Sequence, residues 1–512
     1  MSHHEDKTST KSKCIRFIQK APHSVKIIKE ELKAASYFSI STDASNHKAE
    51  KIFPLVIQYF TRKGTQIRLL KLSSLKSETS DAISSFCIEA LRQHQLDFSK
   101  CIAFGGDNAN VNFGGLGRLG KNNTFTKLKA HLGNDIEGIG CPAHILHNTI
   151  QTAADQLSCD VEQIVMKIFG HFSIYTVRIE SLKNFCGFLD VEYHKLLSHS
   201  KTRWLSLFPS VERILKLFEP LKSFFLSTEK APKTILDFFN NPLSESYFWF
   251  IHSQISSFHN QILKIEGRSK SVIEVHEILL TTLAMSKAQA ESNFIPLEIK
   301  ALFRKLLNEG TITQYDINTF MTDISLFYET LISYLTKWIK PMDIFTSFHW
   351  MTLKTAPVWD DVEDTYNYLK SKNVILNSTF LFNQIAVVQD IVKQQLSGED
   401  SRKTWNDKLL NEKWVFLFEN METDVPEQFA DIYKICEYIF SVPGHNGNVE
   451  RIFSLMEIQW TDERNRLIPE TIEGILQCIV NFKFNSCSEM YDYAINCPEL
   501  LKEGKSSNKY TK

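Results

Sequence analysis

The sequence has little glycine, little proline and almost no net charge, and each of these shortages argues against certain folds or binding functions. Among 512 residues there are only 19 Gly and 14 Pro, a composition that favours helices over an all-β design. The formal net charge is -1, whereas a protein that neutralises many DNA phosphates usually carries a basic face. Any DNA-binding surface would therefore have to be local.

The sequence also lacks paired cysteines and long apolar runs. None of its ten cysteines forms a Cys-x-x-Cys pair, which excludes a zinc ribbon or finger of that type. No apolar run approaches the roughly 20 residues that a membrane helix requires, so we expect no membrane partner. The polar start, Met1 to Lys13, does not resemble a signal peptide.

The first third of the chain contains a series of short extended segments. Residues 37–42 are strand-like, residues 52–60 are mostly apolar and β-branched or aromatic, and residues 67–72 supply a third extended run. These three segments predict an antiparallel meander. Apolar residues at helical spacing between residues 83 and 91 predict a helix, and residues 101–104 predict a short buried strand. This order of elements is that of an RNase H-like fold.

The later sequence is of a different kind. Residues 205–435 show long amphipathic helical patterns with few turn signals and predict an all-α insertion domain. We therefore expect an α/β RNase H-like core, built from residues 36–204 and 436–484, interrupted by this insertion and predominantly helical overall. A polar tail and helix, residues 1–35, precede the core, and a tail of residues 485–512 follows it.

Three acidic residues stand out by their position. Asp43 ends a predicted strand, Asp107 follows a strand at a Gly-Gly break, and Glu450 lies early on a late predicted helix. Two-metal phosphoryl transfer needs carboxylates that hold two divalent ions a few ångströms apart, and oxygen-only ligands select Mg²⁺ or Mn²⁺. The alternative is that they are ordinary solvated acids among the 59 Asp and Glu residues.

Four segments, in order along the chain, resemble DNA transposases of the hAT superfamily and proteins derived from them. They are FSISTDAS at 38–45, GGDNAN at 105–110, GCPAHILHN at 140–148, and NVERIFS at 448–454 followed by NRL and ET within 465–471. Each segment alone is weakly specific, but together they span most of the sequence.

The resemblance implies a function. Asp43, Asp107 and Glu450 would be the catalytic, metal-binding set of a DDE-type enzyme that cleaves and transfers DNA strands and leaves hairpins on the donor flanks. The protein would be nuclear. Residues 436–484 resemble the family's dimerisation region, so we expect at least a dimer. The apolar side chains predicted to drive self-association are Phe453, Ile472, Ile475, Leu476 and Ile479.

Cys141, His144 and His147 form the family-like Cys-x-x-His element. Ligands of this type could bind zinc, but only three are local and no fourth is evident in the sequence. The resemblance implies a structural or near-active-site element, so we do not expect a zinc site.

Candidate DNA contacts are few. Arg203-Trp204 resembles the family's Arg-Trp element, whose tryptophan stacks on an extruded base; a core tryptophan is the alternative. Lys127 and Lys129 belong to a basic cluster after Asp107 that could meet phosphates, or could be a solvated loop face.

The sequence departs from the family at its start. Residues 1–36 contain a single cysteine, Cys14, so they cannot form the BED-type finger with which many members read DNA. We therefore expect weak, largely non-specific DNA binding. The alternative function is that of a domesticated, catalytically inactive nuclear protein acting through dimerisation and through partner or DNA binding.

Overall fold

The computed structural model describes residues 25–115, 118, 120–199, 207–267, 270–421, 429–464, 467–482 and 486–498. Contacts within the chain group it into two compact units. The first contains residues 1–142, 268–276 and 342–512, and the second contains residues 143–267 and 277–341. The segment predicted as an all-α insertion, 205–435, is divided between them.

The first unit is organised around a mixed six-stranded sheet. Its strands are β1 (Phe38–Thr42), β2 (Ser45–His47), β3 (Glu50–Thr61), β4 (Gly64–Ser74), β5 (Cys101–Gly106) and β6 (Glu137–Gly140). The strand order is β2-β3-β1-β5-β6, and β4 also pairs with β3. β1, β3 and β4 form an antiparallel meander, as predicted, whereas β5 is parallel to β1 and β6 is parallel to β5.

Burial explains which strands the sequence predicted well. β1 and β5 are buried along their whole length, and β3 is buried at nine consecutive positions. β3 is mostly apolar, as is typical of a strand covered on both faces, whereas β1 buries Ser39, Ser41 and Thr42 beside its apolar residues. β6 was not predicted because its sequence, EGIG, is short and contains two glycines, which are depleted in strands.

Helices make up most of the rest of the chain. Their bounds are α1 (residues 25–34), α2 (Ser80–Gln93), α3 (Asn110–Phe113), α4 (Thr124–Leu132), α5 (Pro142–Ala154), α6 (Val161–Ser173), α7 (Thr176–Phe188), α8 (Leu207–Lys216), α9 (Phe218–Ser227), α10 (Lys233–Asn240), α11 (Ser244–Ile265), α12 (Val272–Glu291), α13 (Leu297–Asn308), α14 (Gln314–Ile339), α15 (Trp359–Ser371), α16 (Ser378–Ser397), α17 (Glu399–Asp407), α18 (Leu410–Met421), α19 (Ala430–Ser441), α20 (Gly447–Gln459), α21 (Pro469–Asn481) and α22 (Cys487–Ile495). Short 3-10 helices span Phe98–Lys100, Lys340–Thr352 and Asp462–Arg464.

Helices cover both faces of the sheet. One apolar core joins α1, α2 and α4 to the strands through residues such as Ile28, Ile83 and Leu128. The core on the other face joins α20 and α21 to β3 and β4. The result is a three-layer α/β arrangement in which α20, the helix that carries Glu450, is fixed against the sheet.

The second unit consists of helices and their connections, with no strand among its described residues. A long central helix, α11, packs against α8 and α13, and phenylalanine rings such as Phe224, Phe225 and Phe239 contact one another in its core. The buried Tyr247 hydroxyl donates a hydrogen bond to Asp323 at 2.6 Å. Among the helices described in either unit, none is long and apolar enough to cross a membrane.

Candidate functional site

The two predicted catalytic aspartates follow neighbouring parallel strands. Asp43 comes directly after β1 and Asp107 directly after β5. Ser41 pairs with Gly105 in the ladder between these strands, and continuing that register by two residues sets Asp43 opposite Asp107. Adjacent strands lie about 4.8 Å apart, so the backbone brings the two aspartates to the same edge of the sheet. Both are half-buried.

Asp107 is held by the segment that follows it. Its Oδ1 accepts hydrogen bonds from the Asn112 side-chain amide at 2.5 Å and from the Ala109 backbone N–H at 3.2 Å. Its Oδ2 accepts no hydrogen bond from the described residues. The strand before it ends in Gly105 and Gly106, where a Cβ would press on Ser41 and on Asn112 respectively. The Gly-Gly break therefore allows this close packing.

Asp43 is tied to a distant part of the chain. Its Oδ1 accepts a hydrogen bond from the Ala44 backbone N–H at 2.8 Å, and its Oδ2 accepts one from the Asn446 side-chain amide at 3.1 Å. Asn446 directly precedes α20. Asn446 occupies the cap position of this helix without a side-chain capping bond. The side chain of Asn446 bonds to Asp43.

Glu450 lies in the first turn of α20, so the bond between Asn446 and Asp43 anchors the start of its helix near the first aspartate. On the other side, Cys141 follows β6, and its backbone N–H donates to the Gly106 carbonyl at 2.9 Å. Asn108 donates to the Cys141 carbonyl at 2.7 Å. Asp43, Asp107 and Cys141 thus follow three successive parallel strands.

Glu450 also lies close to Cys141. The Cys141 thiol sulfur and a carboxylate oxygen of Glu450 lie within 4.8 Å of each other. A thiolate is a donor typical of zinc, whereas carboxylates alone favour magnesium. Among the described residues, Asp43, Asp107 and Glu450 do not form a group of three ligands within that distance. A two-metal site is wider, because its ions lie about 3.5–4 Å apart.

The surroundings of the aspartates fit a hard divalent cation. Asp107 Oδ2 is available, as noted above, and the amide oxygens of Asn112 and Asn446 are buried without a hydrogen-bond partner among the described residues. Carboxylate and amide oxygens are the donors that Mg²⁺ and Mn²⁺ prefer. Asp43, Asp107 and Glu450 would hold such an ion.

A buried histidine stands just before Asn446. His445 is 4 % exposed, and its Nδ1 accepts a hydrogen bond from the Gly447 backbone N–H at 3.0 Å. Burial, reinforced by the positive charge of Arg451, lowers the pKa of His445 to about 4. The ring is therefore neutral near pH 7 and helps to hold the turn that enters α20.

The predicted DNA contacts are paired or lie outside the described residues. Lys127 forms an ion pair with Asp81 at 2.6 Å, and Lys129 forms one with Asp135. Either lysine would have to exchange its carboxylate for a phosphate to bind DNA. Residues 203–204, the Arg-Trp element, fall outside the described part of the chain.

Most of the predicted dimerisation stripe is core. Ile472, Ile475 and Leu476 are 0 %, 3 % and 0 % exposed, and α21 packs against β4 of the same unit. Phe453 is partly buried against the same core, and Ile479 remains 36 % exposed. The helical stripe found in the sequence is real, but its three buried members face the chain's own sheet.

Sequence reasoning missed the two asparagines that contact the aspartates. Asn112 lies five residues after Asp107, on α3, where a carboxamide could have been suspected of reaching back to the acid. Asn446 is 403 residues from Asp43, and no local pattern could pair them. No family model matches the sequence, and no curated protein matches it.

Proposed function

We propose that the chain is a hAT-type transposase or transposase-derived protein with an RNase H-like core and a metal-dependent DNA strand-cleavage and strand-transfer activity. One observation carries the proposal: Asp43 and Asp107 follow adjacent parallel strands at matching register, and the residue preceding the Glu450 helix bonds to Asp43. The meander of β1, β3 and β4, followed by two parallel strands, also agrees with the predicted core.

In this proposal the three carboxylates hold Mg²⁺ or Mn²⁺, which supplies activation of the attacking oxygen and stabilisation of the leaving oxygen. The chain's own part is to orient the carboxylates. The backbone N–H groups of Ala44 and Ala109 donate to Asp43 and Asp107, which fixes one oxygen of each. Each attack on the phosphodiester would be in line: water, and later a DNA hydroxyl, forms a new P–O bond while the opposite P–O bond breaks, and the leaving oxygen becomes the hydroxyl of the cleaved strand.

DNA binding in this proposal is weak and depends on phosphate contacts. The net charge of -1 offers no general attraction, and Lys127 and Lys129 are engaged with acids. Because phosphate contacts release counterions, affinity should fall steeply with salt. Competition with unrelated duplexes tests this: a preference above about 1000-fold for one sequence at physiological salt would reveal a base-reading element.

A second candidate function is that of a domesticated nuclear protein, catalytically inactive, which acts through self-association and through partner or DNA binding. The ion-paired lysines favour it, because they leave less positive charge for DNA. Self-association would use apolar side chains of the 436–484 region that remain exposed, namely Ile458, Ile468 and Ile479. Light scattering at micromolar concentration tests it, and a clean monomer near 59 kDa would contradict it.

The deciding experiment is strand cleavage on a plasmid that carries the gene's own flanking repeats, with Mg²⁺ or Mn²⁺ supplied. Asp107→Asn keeps the shape of the side chain and removes the charge that holds the metal, so cleavage should be lost. Asp97→Asn is the control, because that exposed carboxylate accepts its hydrogen bonds from the nearby Ser99 and contacts neither aspartate. Cleavage that survives Asp107→Asn would favour the second candidate.

A further inference from the structure

Two buried asparagines contact the two aspartates in the same way. Asn112 and Asn446 are 5 % and 2 % exposed. Each donates its side-chain N–H to one carboxylate oxygen, Asn112 to Asp107 Oδ1 at 2.5 Å and Asn446 to Asp43 Oδ2 at 3.1 Å. Each aspartate is therefore held by a side chain from outside its own strand.

The carboxamide oxygen of each asparagine shows that burying these side chains has an energetic cost. The Oδ1 atoms of Asn112 and Asn446 are buried without a hydrogen-bond partner among the described residues. A buried acceptor left unpaired destabilises the folded chain, because it has lost its hydrogen bonds to water. If folding alone selected these side chains, an apolar residue of similar shape would avoid that cost. What a carboxamide supplies, and an apolar side chain cannot, is the hydrogen bond to the carboxylate.

We propose that Asn112 and Asn446 are positioning residues for a divalent cation, each orienting one aspartate so that its oxygens face the ion; this rests on the proposed function. A ligating carboxylate is commonly fixed by an outer hydrogen bond, and removing such a partner costs about 10- to 100-fold in metal affinity or activity. An amide donor suits this task because it is uncharged and can donate a hydrogen bond to a carboxylate, which a further carboxylate could not.

The two contacts also link the metal site to the fold. Asn112 belongs to α3, which begins three residues after Asp107, so it sets the local turn after β5. Asn446 stands at the start of α20 and joins the Glu450 helix to the end of β1. Losing Asn446 should therefore affect Asp43 and the placement of Glu450 together, whereas losing Asn112 should affect Asp107 alone.

Mn²⁺ binding to the full-length protein tests the proposal, measured by calorimetry and by the electron paramagnetic resonance spectrum of the bound ion. Asn112→Leu and Asn446→Leu keep the approximate shape and remove the donor. Each should weaken Mn²⁺ binding by about tenfold or more and change the spectrum of the bound ion, with the circular dichroism spectrum retained. If a leucine variant fails to fold, the corresponding serine variant, Asn112→Ser or Asn446→Ser, is used instead. It should weaken Mn²⁺ binding in the same way.

Asn134→Leu is the matched control. Asn134 donates to the Phe98 carbonyl at 2.6 Å in the same unit and has no contact with either aspartate, so its loss should lower the melting temperature and leave Mn²⁺ binding unchanged. Mn²⁺ affinity that is unchanged in Asn112 and Asn446 variants, yet lost in Asp107→Asn, would overturn the positioning role and leave the proposed function standing. Absence of Mn²⁺ binding to the unmodified protein, or binding that Asp107→Asn does not weaken, would overturn both.

Discussion

The substitution Leu476→Ala distinguishes whether α21 packs in the core of its own chain or at an interface between two chains. Leu476 is fully buried, in a cluster with residues such as Val56 and Leu69 of the sheet. Removing the equivalent of three methylene groups costs about 0.8 kcal/mol each, and the cavity left behind raises the usual cost of Leu→Ala to about 2.7–5 kcal/mol. We expect a loss of stability in that range, whatever the protein concentration.

Urea unfolding followed by tryptophan fluorescence is a suitable assay, because Trp460 belongs to the same cluster. Ile479→Ala is the matched control on the same helix; Ile479 is 36 % exposed, so its loss should cost less than about 1 kcal/mol. If Leu476→Ala left the midpoint unchanged at low protein concentration and abolished self-association instead, α21 would be an interface helix, and the packing described above would be refuted.

Three further predictions follow from the site. Gly140→Ala should destabilise the protein by about 1–3 kcal/mol in thermal melts, because a Cβ there would overlap with Asn108 Oδ1. His445→Gln should reduce the loss of stability on acidification, measured by urea unfolding. Burial lowers the pKa of His445 in the folded state from 6.5 to about 4. The stability that depends on the neutral ring is therefore fully present above pH 6.5 and is lost as the pH falls towards 4. Lys127→Ala should reduce the salt dependence of DNA affinity by about one phosphate contact, whereas Asp81→Asn, which frees Lys127, should strengthen binding.

The sequence predicted the elements whose pattern is local. The segments of β1, β3, β4 and β5 were predicted to be extended, and the helical spacing of apolar residues between 83 and 91 correctly predicted α2. The placement of Asp43 and Asp107 after strands was also correct. These features follow from side-chain periodicity and from residues that start or end an element, which a single sequence displays directly.

Features that depend on distant contacts could not be predicted in this way. An apolar stripe on a helix indicates burial but not the partner, so Ile472 and Leu476 were read as an interface when they pack on the chain's own sheet. The hydrogen bond between Asn446 and Asp43 joins residues that are 403 positions apart in the sequence. β6 lacks any β-branched run, so the position of Cys141 at a strand end emerged only from the structure.

Anomalous scattering from a crystal grown with Mn²⁺ tests the central claim most directly, because it locates the ion without relying on activity. One or two manganese peaks are expected beside the carboxylates of Asp43 and Asp107, with Glu450 completing the set, and these peaks should be lost in Asp107→Asn crystals. A well-ordered site at saturating Mn²⁺ with no peak near these aspartates would contradict it.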